Sequence, residues 1–196
     1  MSKNVGVIGL GAMGSGMAGS LRRAGFDTAV FDIRTEVAQA FAKDGGTACA
    51  SLAELGARSD VIVSVVVNAA QTESVLFGAD GCAASMKRGS VFVMCSTVDP
   101  NWSIALEARL AALGILYVDA PISGGAAKAA SGQMTMMTAA TPQAYAKAGD
   151  MLDAMAAKVY RLGDKAGAGS KVKIINQLLA GVHIAAAAEA MALGLR

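Results

Sequence analysis

Between an apolar run, Asn4-Val5-Gly6-Val7-Ile8, and a helix-forming stretch stands Gly9-Leu10-Gly11-Ala12-Met13-Gly14, and nothing else in the 196-residue chain restricts its fold as strongly. Glycines at this spacing suit a turn from a strand into a helix. The first permits the tight bend, the second lets backbone approach a bound pyrophosphate, and the third lets helix and strand pack closely. The helix start then offers backbone N–H groups and a partial positive charge to an anion. Gly9, Leu10, Gly11, Ala12, Met13 and Gly14 are therefore candidate cofactor-binding positions. Asp32, at the end of the next apolar run, completes the pattern: its carboxylate accepts hydrogen bonds from ribose hydroxyls and repels a 2′-phosphate, which favours NAD over NADP. Arg34, two residues on, weakens that preference and keeps NADP possible.

Five short β-branched runs, Asn4–Ile8, Thr28–Asp32, Val61–Val67, Val91–Cys95 and Leu116–Asp119, alternate with helix-length segments. Such alternation predicts βαβ units and a doubly wound, mostly parallel sheet. The runs are almost continuously apolar, as strands covered on both faces are. Helices are expected over Met13–Ala24, Thr35–Lys43, Ser51–Arg58, Thr72–Leu76 and Asn101–Leu113. A further strand, Gln133–Thr138, precedes a helix that starts at Thr141-Pro142 and runs to about Lys158. Tyr160-Arg161-Leu162 and a glycine-rich turn follow, and from Ser170 the pattern is helical to the last residue. It shows no stop signal, so a helix continuing into a further part is expected.

Composition narrows the function. With 54% hydrophobic residues the chain can bury a full core, and a net charge of +2 with 16% charged residues gives no basic stripe for nucleic acid. Cys49, Cys82 and Cys95 are odd in number and far apart, which fits neither a disulfide framework nor a zinc site and suggests a reduced, cytoplasmic protein. No signal peptide is expected, nor a membrane span, because no segment reaches ~20 apolar residues free of charge or turn. No cluster of His, Asp or Glu supports a metal. Met134, Met136 and Met137 suit core positions.

Three segments, the glycine loop, Asp119-Ala120-Pro121-Ile122-Ser123-Gly124-Gly125, and Gly167 to Gln177 with Lys171, Lys173 and Asn176, resemble in order and spacing the signatures of the 3-hydroxyisobutyrate dehydrogenase-related β-hydroxyacid dehydrogenases, relatives of 6-phosphogluconate dehydrogenase. The stretch from Gln177 to Leu193 is similar to the branch of that family acting on L-threonate. The resemblance covers the whole chain. It implies a Rossmann-like domain over residues 1–165 and, over 166–196, the first part of a long helix leading to an all-helical domain that is absent here. It further implies NAD-dependent oxidation of a hydroxyl on a short hydroxy acid, L-threonate first and 3-hydroxyisobutyrate-like acids next. An NADPH-dependent reductase of glyoxylate, tartronate semialdehyde or succinic semialdehyde is the alternative, and a non-catalytic dinucleotide-binding fragment is another.

Lys173 matches the family's catalytic lysine. Removing a hydroxyl proton near neutrality requires a lysine lowered from its usual pKa of ~10.4 by burial or by a neighbouring cation. Lys171 points about 200° away around the helix and is expected in solvent. Asn176 and Gln177, one turn beyond Lys173, are candidate substrate contacts. The family pattern has asparagine where Gln177 stands, which bears on substrate identity. Ser123, Gly124 and Gly125 form a small-residue loop at the carboxyl end of a strand, where open α/β sheets bind ligands, and the family uses it for the substrate carboxylate. Val67, Asn68, Ser96 and Thr97 follow other strands and are further cofactor candidates. His183, the only histidine, falls roughly 15 Å along the helix from Lys173 and is left out of the site. The apolar Leu178–Leu195 surface predicts a homodimer through that helix.

Overall fold

A computed structural model describes residues 4–195. Six strands build the parallel part of the sheet: β1 (Asn4–Ile8), β2 (Asp27–Phe31), β3 (Thr47–Ala48), β4 (Val61–Ser64), β5 (Val91–Met94) and β6 (Leu116–Asp119), in the spatial order 3-2-1-4-5-6. Helices α1 (Gly14–Arg23), α2 (Thr35–Lys43), α3 (Leu52–Arg58), α4 (Ala69–Phe77) and α5 (Pro100–Ala112) make the crossovers. The order reverses between β1 and β4, the switch point where this architecture opens a crevice beyond the strands' carboxyl ends.

The apolar runs are continuous because alternate residues enter different cores. Val5, Val7, Val61, Val63, Val91 and Val93 pack on one face, while Ile8, Ile62, Phe92 and Met94 pack on the other. Helices cover both faces, so apolar residues fill most strand positions, and two of the buried polar ones, Ser64 and Asp119, stand at the carboxyl ends of β4 and β6.

After β6 the parallel pattern ends. The short β7 (Ile122–Ser123) and α6 (Gly125–Ala130) precede β8 (Met134–Ala140), which runs antiparallel to β6 and β7; α7 (Pro142–Met155) leads to β9 (Ala156–Arg161), parallel to β8. Met134, Met136 and Met137 are core residues, as their sequence suggested.

Several expected boundaries shift. The Val61 run leaves the sheet at Ser64, and Val65 to Val67 become a loop. The helix expected to reach Lys158 stops at Met155, because residues 156–161 complete the edge beside β8 and pairing overrides the helical preference of Ala156-Ala157-Lys158. The two-residue strands β3 and β7 and the six-residue α6 carry too few residues to show periodicity.

The last helix, α8 (Ala168–Gly194), spans 27 residues, and only Gly169, Ser170 and Lys173 along it are buried. Contrary to the expectation of no membrane-spanning segment, α8 is by length and composition long and apolar enough to cross a membrane. Its interior Gly181 does not break the helix. All three cysteines are buried and free, and burial pushes the Cys95 thiol up to about 12.

Candidate functional site

The turn after β1 needs its glycines for different reasons. Gly9 has φ +89°, and a Cβ there would lie 2.8 Å from the Val65 carbonyl oxygen. At Gly14 a Cβ would stand only 1.8 Å from the Gly9 carbonyl oxygen, so helix and loop approach to backbone distance. Gly11 has nothing within 4 Å of its would-be Cβ and faces open space. No side chain caps the amino terminus of α1. A cradle closed behind, open in front and backed by a helix start fits a dinucleotide pyrophosphate.

Asp32 is 7% exposed just past β2 and accepts hydrogen bonds from the Leu10 N–H at 2.6 Å and the Arg34 N–H at 2.9 Å. The Arg34 Nε adds a contact at 3.1 Å. Burial opposes ionisation of Asp32, but the hydrogen bonds from Arg34 and Leu10 outweigh it and hold the carboxyl below its usual range. Leu10 thus serves through its backbone, while its side chain is core. Arg34 remains half exposed beside the carboxylate.

A cleft of about 330 Å³ opens beside Asp32 and Arg34 and is lined by Gly9, Gly11, Val66 and Gln71. A second, of about 440 Å³, holds Ala12, Met13, Gly14, Ser96, Thr97, Ser123, Gly124, Gly125, Lys173 and Gln177. Gly11 and Val65 to Val67 line both, so the two form one groove along the glycine loop. A hollow of about 500 Å³ between α7 and β9, near Tyr145 and Arg161, contains none of these elements.

The sequence candidates take different places in this groove. Val67 is exposed on its rim. Asn68 lines neither cleft; its side chain accepts from Gln71 N–H and caps α4. The Ser96 hydroxyl donates to the Val66 carbonyl at 2.7 Å, fixing the loop between β4 and α4 instead of facing outward. Ser123 ends β7, and Gly124 and Gly125 follow with φ of +138° and +75°, conformations that favour glycine. The small-residue loop expected here is the end of the short β7 turning sharply into α6.

Lys173 is 6% exposed and lines the second cleft, where burial lowers its pKa below the ordinary lysine value. Gln177, one helical turn on, shares that cleft; Asn176 instead faces an adjoining depression of about 420 Å³ that Ser123 also lines. Lys171 is exposed, and His183 is exposed and lines neither part of the groove. Among the described residues, no group of His, Cys, Asp and Glu could hold a metal ion.

Val65, Val66, Cys95 and Ile122 also line the groove, although none of them is among the site residues expected from sequence. They look like ordinary strand residues, and only their place at strand ends distinguishes them.

The lowered Lys173 pKa has a stability consequence. The unfolded chain holds this proton to higher pH than the folded chain, so stability rises with pH between the folded and unfolded pKa values, and the penalty is constant below both. Lys173→Met is expected to raise Tm at neutral pH. The gain should shrink as pH approaches the ordinary lysine pKa. A pH-independent difference in calorimetric Tm would contradict this.

Comparison with known proteins agrees with this geometry. The family described as the NAD binding domain of 6-phosphogluconate dehydrogenase matches residues 4–163. The L-threonate dehydrogenase of Cupriavidus necator is 64% identical over 100% of this chain and 66% of its own length. That of Pectobacterium atrosepticum is 46% identical over 98% of the chain and 64% of its own. The chain thus spans about two thirds of the length of these relatives. The crystal structure of 3-hydroxyisobutyrate dehydrogenase from Salmonella typhimurium superimposes with a TM-score of 0.93 at 47% identity, covering 100% of this chain and 68% of that one. With its glycine cradle, its Asp32 carboxylate and a family match running from β1 past β9, the chain belongs to the 6-phosphogluconate dehydrogenase family of NAD-binding domains.

Proposed function

We propose that this chain is the cofactor-binding part of an NAD-dependent dehydrogenase that oxidises a hydroxyl on a short hydroxy acid. L-threonate is the favoured substrate and 3-hydroxyisobutyrate-like acids come next. The observation carrying this reading is that the buried Lys173 amine shares one cleft with the glycine loop and with Ser123 to Gly125. The names of the 64% identical relative and of the Salmonella structure support the order of substrates.

In this mechanism Gly9 to Gly14 hold the pyrophosphate and Asp32 the adenosine ribose. NAD, when bound, supplies a hydride acceptor. Ser123 and the backbone of Gly124 and Gly125 hold the substrate carboxylate. Lys173 takes the hydroxyl proton on its amine, whose neutral form burial favours, and afterwards hydrogen-bonds the new carbonyl oxygen. Gln177 orients the substrate from the same helix face. A reductase using NADPH is the second reading, favoured by the exposed Arg34 guanidinium, a ready partner for a 2′-phosphate.

In this reading residues 1–165 are the nucleotide domain and 166–196 begin the interdomain helix. The exposed Leu178, Leu179, Val182 and Ile184 would then be covered by a helical domain or by a second copy in a cytoplasmic homodimer.

Titration calorimetry with NAD and NADP, repeated on Asp32→Ala, tests the cofactor assignment. NAD is expected to bind more tightly, and the substitution to weaken it about tenfold or more while narrowing the gap to NADP. Tighter NADP binding that Asp32→Ala leaves alone would move the assignment to the reductase.

A further inference from the structure

Asp119, at the end of β6, is fully buried, and the acceptors on its carboxylate are directed at a single element. Its Oδ2 accepts from the Gly167 N–H at 2.9 Å and the Ser170 N–H at 3.0 Å, and its Oδ1 from the Ser170 hydroxyl at 2.7 Å. The start of α8 has no cap of its own, because Gly167 offers no side chain. A carboxylate 48 residues away in sequence supplies one. Such burial is costly unless the charge is hydrogen-bonded, and a helix amino terminus is the place where it is favoured.

The contact is tight. A Cβ on Gly169 would stand 2.5 Å from the Met137 carbonyl oxygen and 2.9 Å from that of Asp119, so α8 is pressed against the middle of β8 and the end of β6. Beyond Lys173 the rest of the helix is exposed. Lys173 follows Ser170 by three positions and shares its face. From Asp119 the chain also runs through Ala120, Pro121 and Ile122 directly to Ser123, so one residue anchors both sides of the second cleft.

We propose that Asp119 is the positioning residue of this site: its carboxylate clamps the amino end of α8 to β6 and thereby sets the place of the Lys173 amine relative to Ser123 and the glycines after it. The functional part of this inference rests on the reading of Lys173 as the acid/base.

The test is labelling of lysines in the folded chain with acetic anhydride, resolved by peptide mass, with exposed Lys171 as internal reference. In the parent chain Lys173 is expected to react more slowly than Lys171. Asp119→Asn keeps the shape but removes the charge, and should raise the Lys173-to-Lys171 ratio about fivefold, the order of change that loss of a helix cap brings to a local equilibrium. Ser170→Ala removes one of the hydrogen bonds and should raise it about twofold. A purely structural role would lower Tm and leave the ratio unchanged. An unchanged ratio in folded Asp119→Asn overturns the proposal; if that variant does not fold, an unchanged ratio in Ser170→Ala does so. In an enzyme of its relatives' full length, Asp119→Asn should lower kcat with little change in KM for NAD. If Lys173→Ala keeps full activity there while the labelling shift persists, the acid/base reading fails and the clamp stands.

Discussion

Lys173→Met, made in an enzyme of the full length of its relatives, should lower kcat by about a thousandfold, within the range that loss of a general acid/base brings. Among the described residues, the amine is the only titratable group lining the second cleft besides the Cys95 thiol, which burial pushes up to about 12 and so removes from proton transfer near neutrality. Methionine keeps the length and apolar stem of the side chain, so the packing of α8 on β6 and β8 is preserved. NAD affinity should stay within about twofold, because the residues proposed to hold the ribose and pyrophosphate lie along the glycine loop and at Asp32. Steady-state rates of NADH appearance, with calorimetry for the cofactor, measure both quantities. A kcat within about tenfold of the parent would remove Lys173 from the chemistry, and joint loss of kcat and cofactor binding would make it a structural residue.

Gly14→Ala should be nearly as damaging by another route. The added methyl would meet the Gly9 carbonyl oxygen at 1.8 Å, a backbone atom that no rotamer change can move. Either α1 shifts away from β1 or the loop opens, at a cost of about 3 kcal/mol for overpacking of this kind. If NAD binding has to restore the original loop geometry, the same energy appears as about a hundredfold loss of affinity. Gly11→Ala is the informative contrast. Its φ is not positive and its methyl has nothing within 4 Å, so Tm should hold while NAD binding weakens, since the methyl enters the space left for the pyrophosphate. Thermal melts and calorimetry on the pair separate a scaffold effect from a contact effect. Equal behaviour of the two variants in both measurements would show that the cradle does not work as described.

The parallel half of the sheet was legible from sequence because its determinants are local. β-branched runs at Asn4, Val61, Val91 and Leu116 can be little else, and the glycines of the first turn mark where strand gives way to helix. Asp32 was readable for the same reason, as a fixed distance from that turn is set by one crossover. Cofactor class therefore followed from residues near one another in the chain. Lys173, Ser123 and its glycines came from a resemblance to a family, not from periodicity; a lysine on an alanine-rich helix carries no mark of burial.

Beyond β6 the chain was less readable. β9 is spelled in helix formers and exists because β8 offers it an edge, while β7 and α6 are shorter than any period. The split between Gln177 in the Lys173 cleft and Asn176 in the adjoining depression depends on how α8 is rotated about its axis. Ser96 and Asn68 had the right residue types at strand ends, but hydrogen bonds to Val66 and Gln71 committed their side chains to the loop between β4 and α4. By itself the sequence determined the βαβ core and the dinucleotide turn, since hydrophobic period and glycine stereochemistry act over a few residues. Only the tertiary structure decided how Lys173 is buried and held, because that depends on Asp119, which lies 48 residues from Gly167 in sequence and within hydrogen-bond distance of it in space.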